Sequence, residues 1–305
     1  MSLLKINNLT KYYGKFKALD GLSLTLEDKE VYGFIGPNGA GKTTTLNILM
    51  QLTDYSGGSI EFAGKTLNKG DYSYKRDIAF MPDVPQFPPY LTGREVLKLT
   101  GDFCGYEKRD VNDKIRALRE TCGLSHIDKK VGAYSRGMVQ RLALANALIQ
   151  EPRLLIMDEP TSALDPVGRR AFLNIIKNLS SNITVLYSTH ILSEAEDICD
   201  RIGLVESGRM RLEGPMASLL KNTSRPAYTI EGPDINAIHS SLKNQSFVEN
   251  ITILNDHIDI LTTAQSGRKA LFKHIYEHNL DIDGIYKKRP TLETLFVEVL
   301  NDQSV

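Results

Sequence analysis

The chain has 305 residues carrying 37 basic and 37 acidic side chains, a formal net charge of zero. Hydrophobic residues at 41% and charged residues at 24% exclude a disordered or fibrous chain, and at roughly 150 residues per domain the length accommodates two domains, or one large domain with an appendage. The neutral balance argues against a grip on nucleic acid by bulk positive charge, so no nucleic-acid partner is expected.

Through residues 1–30 apolar positions alternate with polar ones, Leu4 and Ile6 and then Leu22, Leu24 and Leu26, which predicts half-buried antiparallel strands. The apolar run Val31–Ile35 ends in a glycine-rich turn, and a helix follows over about Thr43–Leu52. Ser59–Phe62 and Ile78–Met81 are further strand candidates. Thr92-Gly-Arg-Glu95 has capping-box spacing and opens a helical region. A second helix spans about Val111–Cys122, and a third runs from about Arg136 to Ile149, leading through Pro152 into the strand Leu154–Met157. Asp165-Pro166 sets a capping side chain before a proline at the first helical position, starting a helix to Leu179. Strands Ile183–Tyr187 and Arg201–Glu206, with Leu192–Cys199 helical between them, close this part. Continuous apolar strands interleaved with helices imply a buried parallel sheet covered by helices.

Asn222–Pro226 reads as a linker between a domain over 1–221 and a smaller one over 222–305. Beyond it come strand 227–232, helix 234–243, strand 247–254, strand 257–262, helix 267–278 and strand 281–287. That order, βαββαβ, is the ferredoxin-like pattern, and a last helix spans about Thr291–Leu300. The start, MSLLKINNLTKYYGK, lacks an apolar core with a small-residue cleavage site, so no signal peptide is read. No run of ~18 uncharged apolar residues spans a membrane. Cys104, Cys122 and Cys199 lack Cys-x-x-Cys spacing and read as reduced thiols, which places the chain in the cytosol.

Gly36-Pro37-Asn38-Gly39-Ala40-Gly41-Lys42-Thr43 matches G-x-x-x-x-G-K-[ST] in full, between a strand and a helix. Glycines let the backbone bend around phosphates with N–H groups turned inward, and the helix N-terminus adds its positive dipole end. Lys42 would reach the β- and γ-phosphates, the Thr43 hydroxyl would bind Mg²⁺, and Thr44 would serve the α-phosphate. Arg153-Leu-Leu-Ile-Met-Asp158-Glu159 is an apolar strand ending in two carboxylates. Asp158 at the strand tip suits the water shell of Mg²⁺, and Glu159 one step on suits a general base for the attacking water. His190 follows the neighbouring strand, at the sheet edge where ligands of open parallel sheets collect. There a neutral imidazole could donate to the γ-phosphate. His274 and His278 have i, i+4 spacing but no third ligand, and read as a solvated helix face.

These motifs, in this order, resemble the nucleotide-binding subunit of an ATP-binding cassette (ABC) transporter over about residues 2–220. Tyr134-Ser135-Arg136-Gly137-Met138 is similar to the family signature, usually Leu-Ser-Gly-Gly-Gln. Ser162-Ala-Leu-Asp165 matches the D-loop, His190 the switch histidine, and Tyr13 in Lys-Tyr-Tyr-Gly the aromatic that stacks on adenine. The resemblance implies an α/β fold: a P-loop NTPase core with a mixed, mainly parallel sheet, an antiparallel β subdomain and a helical subdomain at about 84–150, plus the small α+β C-terminal domain. It also implies that Ser135 and Gly137 hold the γ-phosphate of ATP bound to the opposite subunit, giving an ATP-dependent homodimer or pseudo-dimer.

The chain departs from the pattern in three places. Arg136 replaces the first signature glycine and Met138 the glutamine, which leaves Ser135 and Gly137 for backbone contacts. Asp83, after strand 78–81, stands where most cassettes carry the Q-loop glutamine and could bind Mg²⁺ or its water. Gln86 is the alternative. Together with the C-terminal domain and the closing Pro290-Thr-Leu-Glu-Thr-Leu-Phe296-Val-Glu, these departures resemble exporters of the antibiotic, lantibiotic and sodium type that pair with separately encoded permeases.

The reading is therefore an ATPase subunit, peripheral on the cytoplasmic face of the membrane, energising export through an integral-membrane permease. The permease would meet the surface formed by Asp83–Leu91 and the helices over Thr92–Cys122, although Val84–Leu91 could equally pack internally. The alternatives are a soluble ABC ATPase acting on ribosomes or nucleic acid, and a sensor that binds ATP without turning it over.

Overall fold

The computed structural model describes residues 2–68, 70–222, 226–288 and 291–301. It divides into two compact units, Met1–Met216 and Ala217–Val305. The boundary falls at the first residue of the short helix Met216–Asn222, a few residues before the expected linker. Residues 223–225 of that linker lie outside the described residues.

In the first unit the strands are β1 (Ser2–Tyr13), β2 (Phe16–Glu27), β3 (Val31–Ile35), β4 (Gly57–Phe62), β5 (Lys65–Thr66), β6 (Ile78–Met81), β7 (Leu154–Asp158), β8 (Thr184–Thr189), β9 (Arg201–Glu206) and β10 (Arg209–Pro215). The helices are α1 (Lys42–Leu49), α2 (Gly93–Phe103), α3 (Lys108–Thr121), α4 (Arg136–Leu148), α5 (Pro166–Leu179) and α6 (Leu192–Ile198).

β2-β1-β4-β5 form an antiparallel sheet, as the period-2 alternation requires. β10-β9-β3-β8-β7-β6 form a second sheet, parallel except at the β9–β10 edge. Every residue of β3, β7 and β8 is buried, the mark of strands covered on both faces. β10 carries no such apolar run. It is added by the two-residue turn Ser207-Gly208, both with positive φ (50° and 76°), a hairpin geometry whose twist matches the strands. One core joins the two sheets, with Leu4, Leu24 and Ile60 packing in the same cluster as Phe34, Ile156 and Leu186.

Between β6 and β7 the chain makes α2, α3 and α4. Thr92 caps α2 through a full capping box: Glu95 N donates to Thr92 Oγ1 at 3.2 Å and Thr92 N to Glu95 Oε2 at 2.7 Å. Strand registers bring the sheet's carboxyl ends level, Ile35 beside Thr189, Asp158 beside Ser188 and Met81 beside Met157. Gly36, Asp83, Glu159 and His190 therefore all emerge at one edge.

α7 (Met216–Asn222) begins at the last residue of the first unit, and the second unit continues with β11 (Ala227–Glu231), α8 (Ile235–Leu242), β12 (Val248–Leu254), β13 (His257–Thr262), α9 (Ala264–Glu277), β14 (Gly284–Lys287) and α10 (Leu292–Asn301). Its antiparallel sheet runs β12-β13-β11-β14, the ferredoxin-like order, around Tyr228, Ile230, Ile238, Ile258, Ile260 and Leu271. Pro290, named in the closing segment, lies outside the described residues. His274, expected on a solvated face, is 7% exposed and stacks on His278 at 3.9 Å between ring centroids. Among the described residues no helix is long and apolar enough to cross a membrane.

Candidate nucleotide-binding and hydrolysis site

The loop from Gly36 to Gly41 joins β3 to α1 under tight constraint. Gly36 runs so close to β9 that an added Cβ would lie 2.2 Å from the Val205 carbonyl oxygen. Gly41 has φ +105° and would meet Leu19 Cδ2 at 2.7 Å, so only glycine fits. The Ala40 carbonyl accepts from Gly208 N at 2.9 Å, and Gly208 O accepts from Asp20 N at 2.9 Å, which ties the loop to the hairpin turn after β9 and to β2. Pro37, Asn38 and Gly39 stay exposed at the tip.

Lys42, 6% exposed, donates from Nζ to the Gly36 carbonyl at 2.7 Å and the Pro37 carbonyl at 3.3 Å, and lies 3.5 Å from Glu159 Oε1. Its ammonium is thus held inside the curve of the loop. Thr43 Oγ1 donates to Asp158 Oδ2 at 2.9 Å, and Ser188 Oγ donates to Asp158 Oδ1 at 2.9 Å. Asp158 is itself buried. Thr44 follows on α1, half-buried.

Thr43 and Asp158 supply two hard oxygens side by side, and among the described residues no group of three His, Cys, Asp or Glu could hold a metal alone. That set fits Mg²⁺, which keeps water and phosphate oxygens and takes only one or two protein ligands.

Glu159 turns the chain out of β7 with φ +45°, a left-handed conformation that a non-glycine residue adopts only under outside constraint. Its N–H donates to Ser188 O at 3.0 Å. Its Oε2 is 2.9 Å from His190 Nδ1. A carboxylate can only accept, so Nδ1 carries the proton, and the neutral ring then offers a lone pair at Nε2.

The other expected residues sit as follows. Tyr13, 48% exposed, ends β1 beside Phe16 across the hairpin, with Lys11 Nζ 4.7 Å from its ring centroid. Asp83 Oδ1 accepts a short hydrogen bond from Ser162 Oγ, and its carbonyl accepts from Gln140 Nε2 at 3.0 Å, while Gln86 is exposed. Asp165 caps α5, accepting from Gly168 N at 2.6 Å. Ser135 caps α4 through Met138 N at 3.3 Å and is exposed. Gly137, in the first turn of α4, needs no glycine for internal reasons: its φ is ordinary and an added Cβ would first meet Leu164 Cδ2 at 3.6 Å. Val84, Tyr90, Leu99 and Phe103 lie exposed (68%, 70%, 48% and 82%), and Phe87 is half-buried.

Ser188 and Gln140 orient the site without a sequence signal of their own, whereas Ser162, which bonds Asp83, is the first residue of the D-loop match. The thiols take no part: all three are free, and burial pushes Cys122 up to about 12 and Cys199 higher.

A phosphate loop at the carboxyl edge of a parallel sheet, with acidic residues ending the adjacent strand, defines a P-loop nucleotide-hydrolysing domain. The family model for ABC transporters matches residues 19–162. Over 307 residues the chain is 34% identical to the "Bacitracin transport ATP-binding protein BcrA" of Bacillus licheniformis, covering 100% of this chain and 99% of that protein. It is 36% identical over 230 residues to the "Nod factor export ATP-binding protein I" of Burkholderia lata (74% and 76% covered). A solved dimer of the ATP-binding cassette MJ0796 with ADP and Pi superposes with a TM-score of 0.62 at 26% identity, covering 70% of this chain and 99% of that one. The chain belongs to the ABC transporter family as an ATP-binding, ATP-hydrolysing subunit.

Proposed function

We propose that the chain powers export as one half of an ATP-closed homodimer, seated on the cytoplasmic face of a membrane against a separately encoded permease. The observation that carries this reading is a division of labour. Lys42, Thr43, Asp158, Glu159 and His190 converge on the phosphate loop. Ser135 and Gly137, by contrast, present an exposed helix start whose glycine has no use within its own chain. A helix N-terminus with an uncrowded glycine suits an anion arriving from outside, here the γ-phosphate held by a second copy. The solved dimer of the similar cassette supports such pairing.

In this reading the loop N–H groups and Lys42 bind the phosphates, Thr44 serves the α-phosphate and Tyr13 stacks on the base. Thr43 and Asp158 would hold Mg²⁺, which when bound neutralises charge on the β- and γ-phosphates. Asp83 offers Oδ2 to a metal-bound water, and Asp165 sets the loop that faces the partner copy. Glu159 orients the attacking water and takes its proton. His190, hydrogen-bonded to Glu159, faces the γ-phosphate and senses its presence. The relatives' names for antibiotic transport and for export support the outward direction. Val84, Tyr90, Leu99 and Phe103 are large apolar side chains left exposed in the region expected to meet the permease, as suits contact with a membrane protein's cytoplasmic face.

Sedimentation of Glu159→Gln protein tests the pairing: dimer with ATP and monomer without it are expected, whereas monomer under every nucleotide condition overturns it. Capture of a multi-span membrane protein from detergent-solubilised membranes tests the partner.

A further inference from the structure

Behind the hydrolytic pair a second carboxylate is sealed from solvent. Glu194, on α6, is 2% exposed. Its oxygens collect Thr161 Oγ1 at 2.7 and 2.8 Å, Tyr187 Oη at 2.7 Å and Thr189 Oγ1 at 3.2 Å, with Arg169 Nε as counter-charge at 3.1 Å. An apolar side chain of like volume would fill the space at lower cost than a buried charge. What the carboxylate adds is direction, because each hydroxyl must point at it.

Two of those hydroxyls adjoin the loops of the site: Thr189 is the last residue of β8, and Thr161 lies in the loop after β7. Thr189 precedes His190, and its Oγ1 also accepts from Ile191 N at 3.0 Å, so the backbone on both sides of the histidine is pinned. Thr161 lies two residues after Glu159 and directly before Ser162, the partner of Asp83. Burial, and after it the Glu194 charge, holds the Tyr187 phenol well above its ordinary value, so it stays a donor.

We infer that Glu194 is a positioning residue for hydrolysis, locking the His190 loop and the Glu159–Asp165 loop into one fixed relation. The inference rests on reading Glu159 and His190 as the hydrolytic pair.

Glu194→Gln keeps the shape but gives converging hydroxyl donors an amide with a single acceptor oxygen. Because small displacements of reacting groups cost up to about 10²-fold, kcat for ATP should fall about 10- to 100-fold. The phosphate loop is not among the partners of Glu194, so KM should stay within about two-fold, the split that marks loss in the transition state alone. ATP-dependent dimerisation should persist. Unchanged kcat in folded protein overturns the inference, as does a KM that rises as far as kcat falls. Should Glu194→Gln not fold, Thr189→Val cuts the arm beside His190 alone: lower kcat at constant KM supports the inference, and parental kcat overturns it. Glu159→Gln measured alongside separates the two readings, since parental turnover in that variant removes the hydrolytic pair whatever Glu194→Gln does.

Discussion

One carboxylate bridges two side chains of the site: Glu159 Oε2 is 2.9 Å from His190 Nδ1, and Glu159 Oε1 is 3.5 Å from Lys42 Nζ. Glu159→Gln keeps the side chain's reach but cannot take a proton from water. Turnover should drop by about 10²–10⁴-fold, the usual contribution of a general base, with ATP still bound. Steady-state phosphate release checks this, and a rate equal to the parent's removes Glu159 from that role.

Gly137 separates folding from function. An alanine there meets nothing closer than ordinary contact, and Gly→Ala within a helix stabilises by up to about 1 kcal/mol. Gly137→Ala should therefore melt no lower than the parent, yet fail to dimerise with ATP and lose turnover. Melting and sedimentation on one preparation give both answers. A variant that pairs normally would mean that no phosphate approaches this helix start.

How far such relations could be read without coordinates depends on where their cause lies. The phosphate loop, the carboxylates ending β7 and the capped starts of α2 and α5 have local causes, namely backbone bending, strand-tip placement and capping, and their residues announce them. The βαββαβ order of the second unit was equally legible, because alternation in Ile251, Ile253, Ile258 and Ile260 is itself local. Glu194 was not. On α6 it sits two positions from Glu196, and only the packing of α6 against α5, β3 and β8 buries one of the two. β10 was missed for a related reason, since its pairing comes from the Ser207-Gly208 turn and not from an apolar run. Asp83 stands out in the sequence as a departure, but its bond to Ser162 spans 79 residues of sequence and appears only in space.

Gly36 tests whether the loop is anchored as described. Its missing Cβ would stand 2.2 Å from the Val205 carbonyl, with no flexible side chain to yield. Gly36→Ala must displace β9 or the loop, at about 1–3 kcal/mol by analogy with overpacked cores. We expect a lowered Tm and weakened ATP binding together. Calorimetric melting with and without nucleotide measures both, and an unaltered Tm would contradict the close approach.

The second unit carries its own pH signature. His274 is held below the ordinary histidine value first by burial and then by the neighbouring His278 charge, opposed by its bond to Ser241 and by Glu277. Protonation is thus disfavoured in the native state, while the unfolded chain takes up the proton near its ordinary value of about 6.5. The unfolded state binds more protons across that window, so stability is full above about pH 6.5 and declines as pH falls, levelling off below the native value. Hydrogen exchange of the α9 amides should quicken between about pH 7.5 and about pH 5 beyond the intrinsic pH dependence of exchange. His274→Gln, which can still bond Ser241 and does not titrate, should flatten that excess. If the excess survives in the variant, another group carries the dependence.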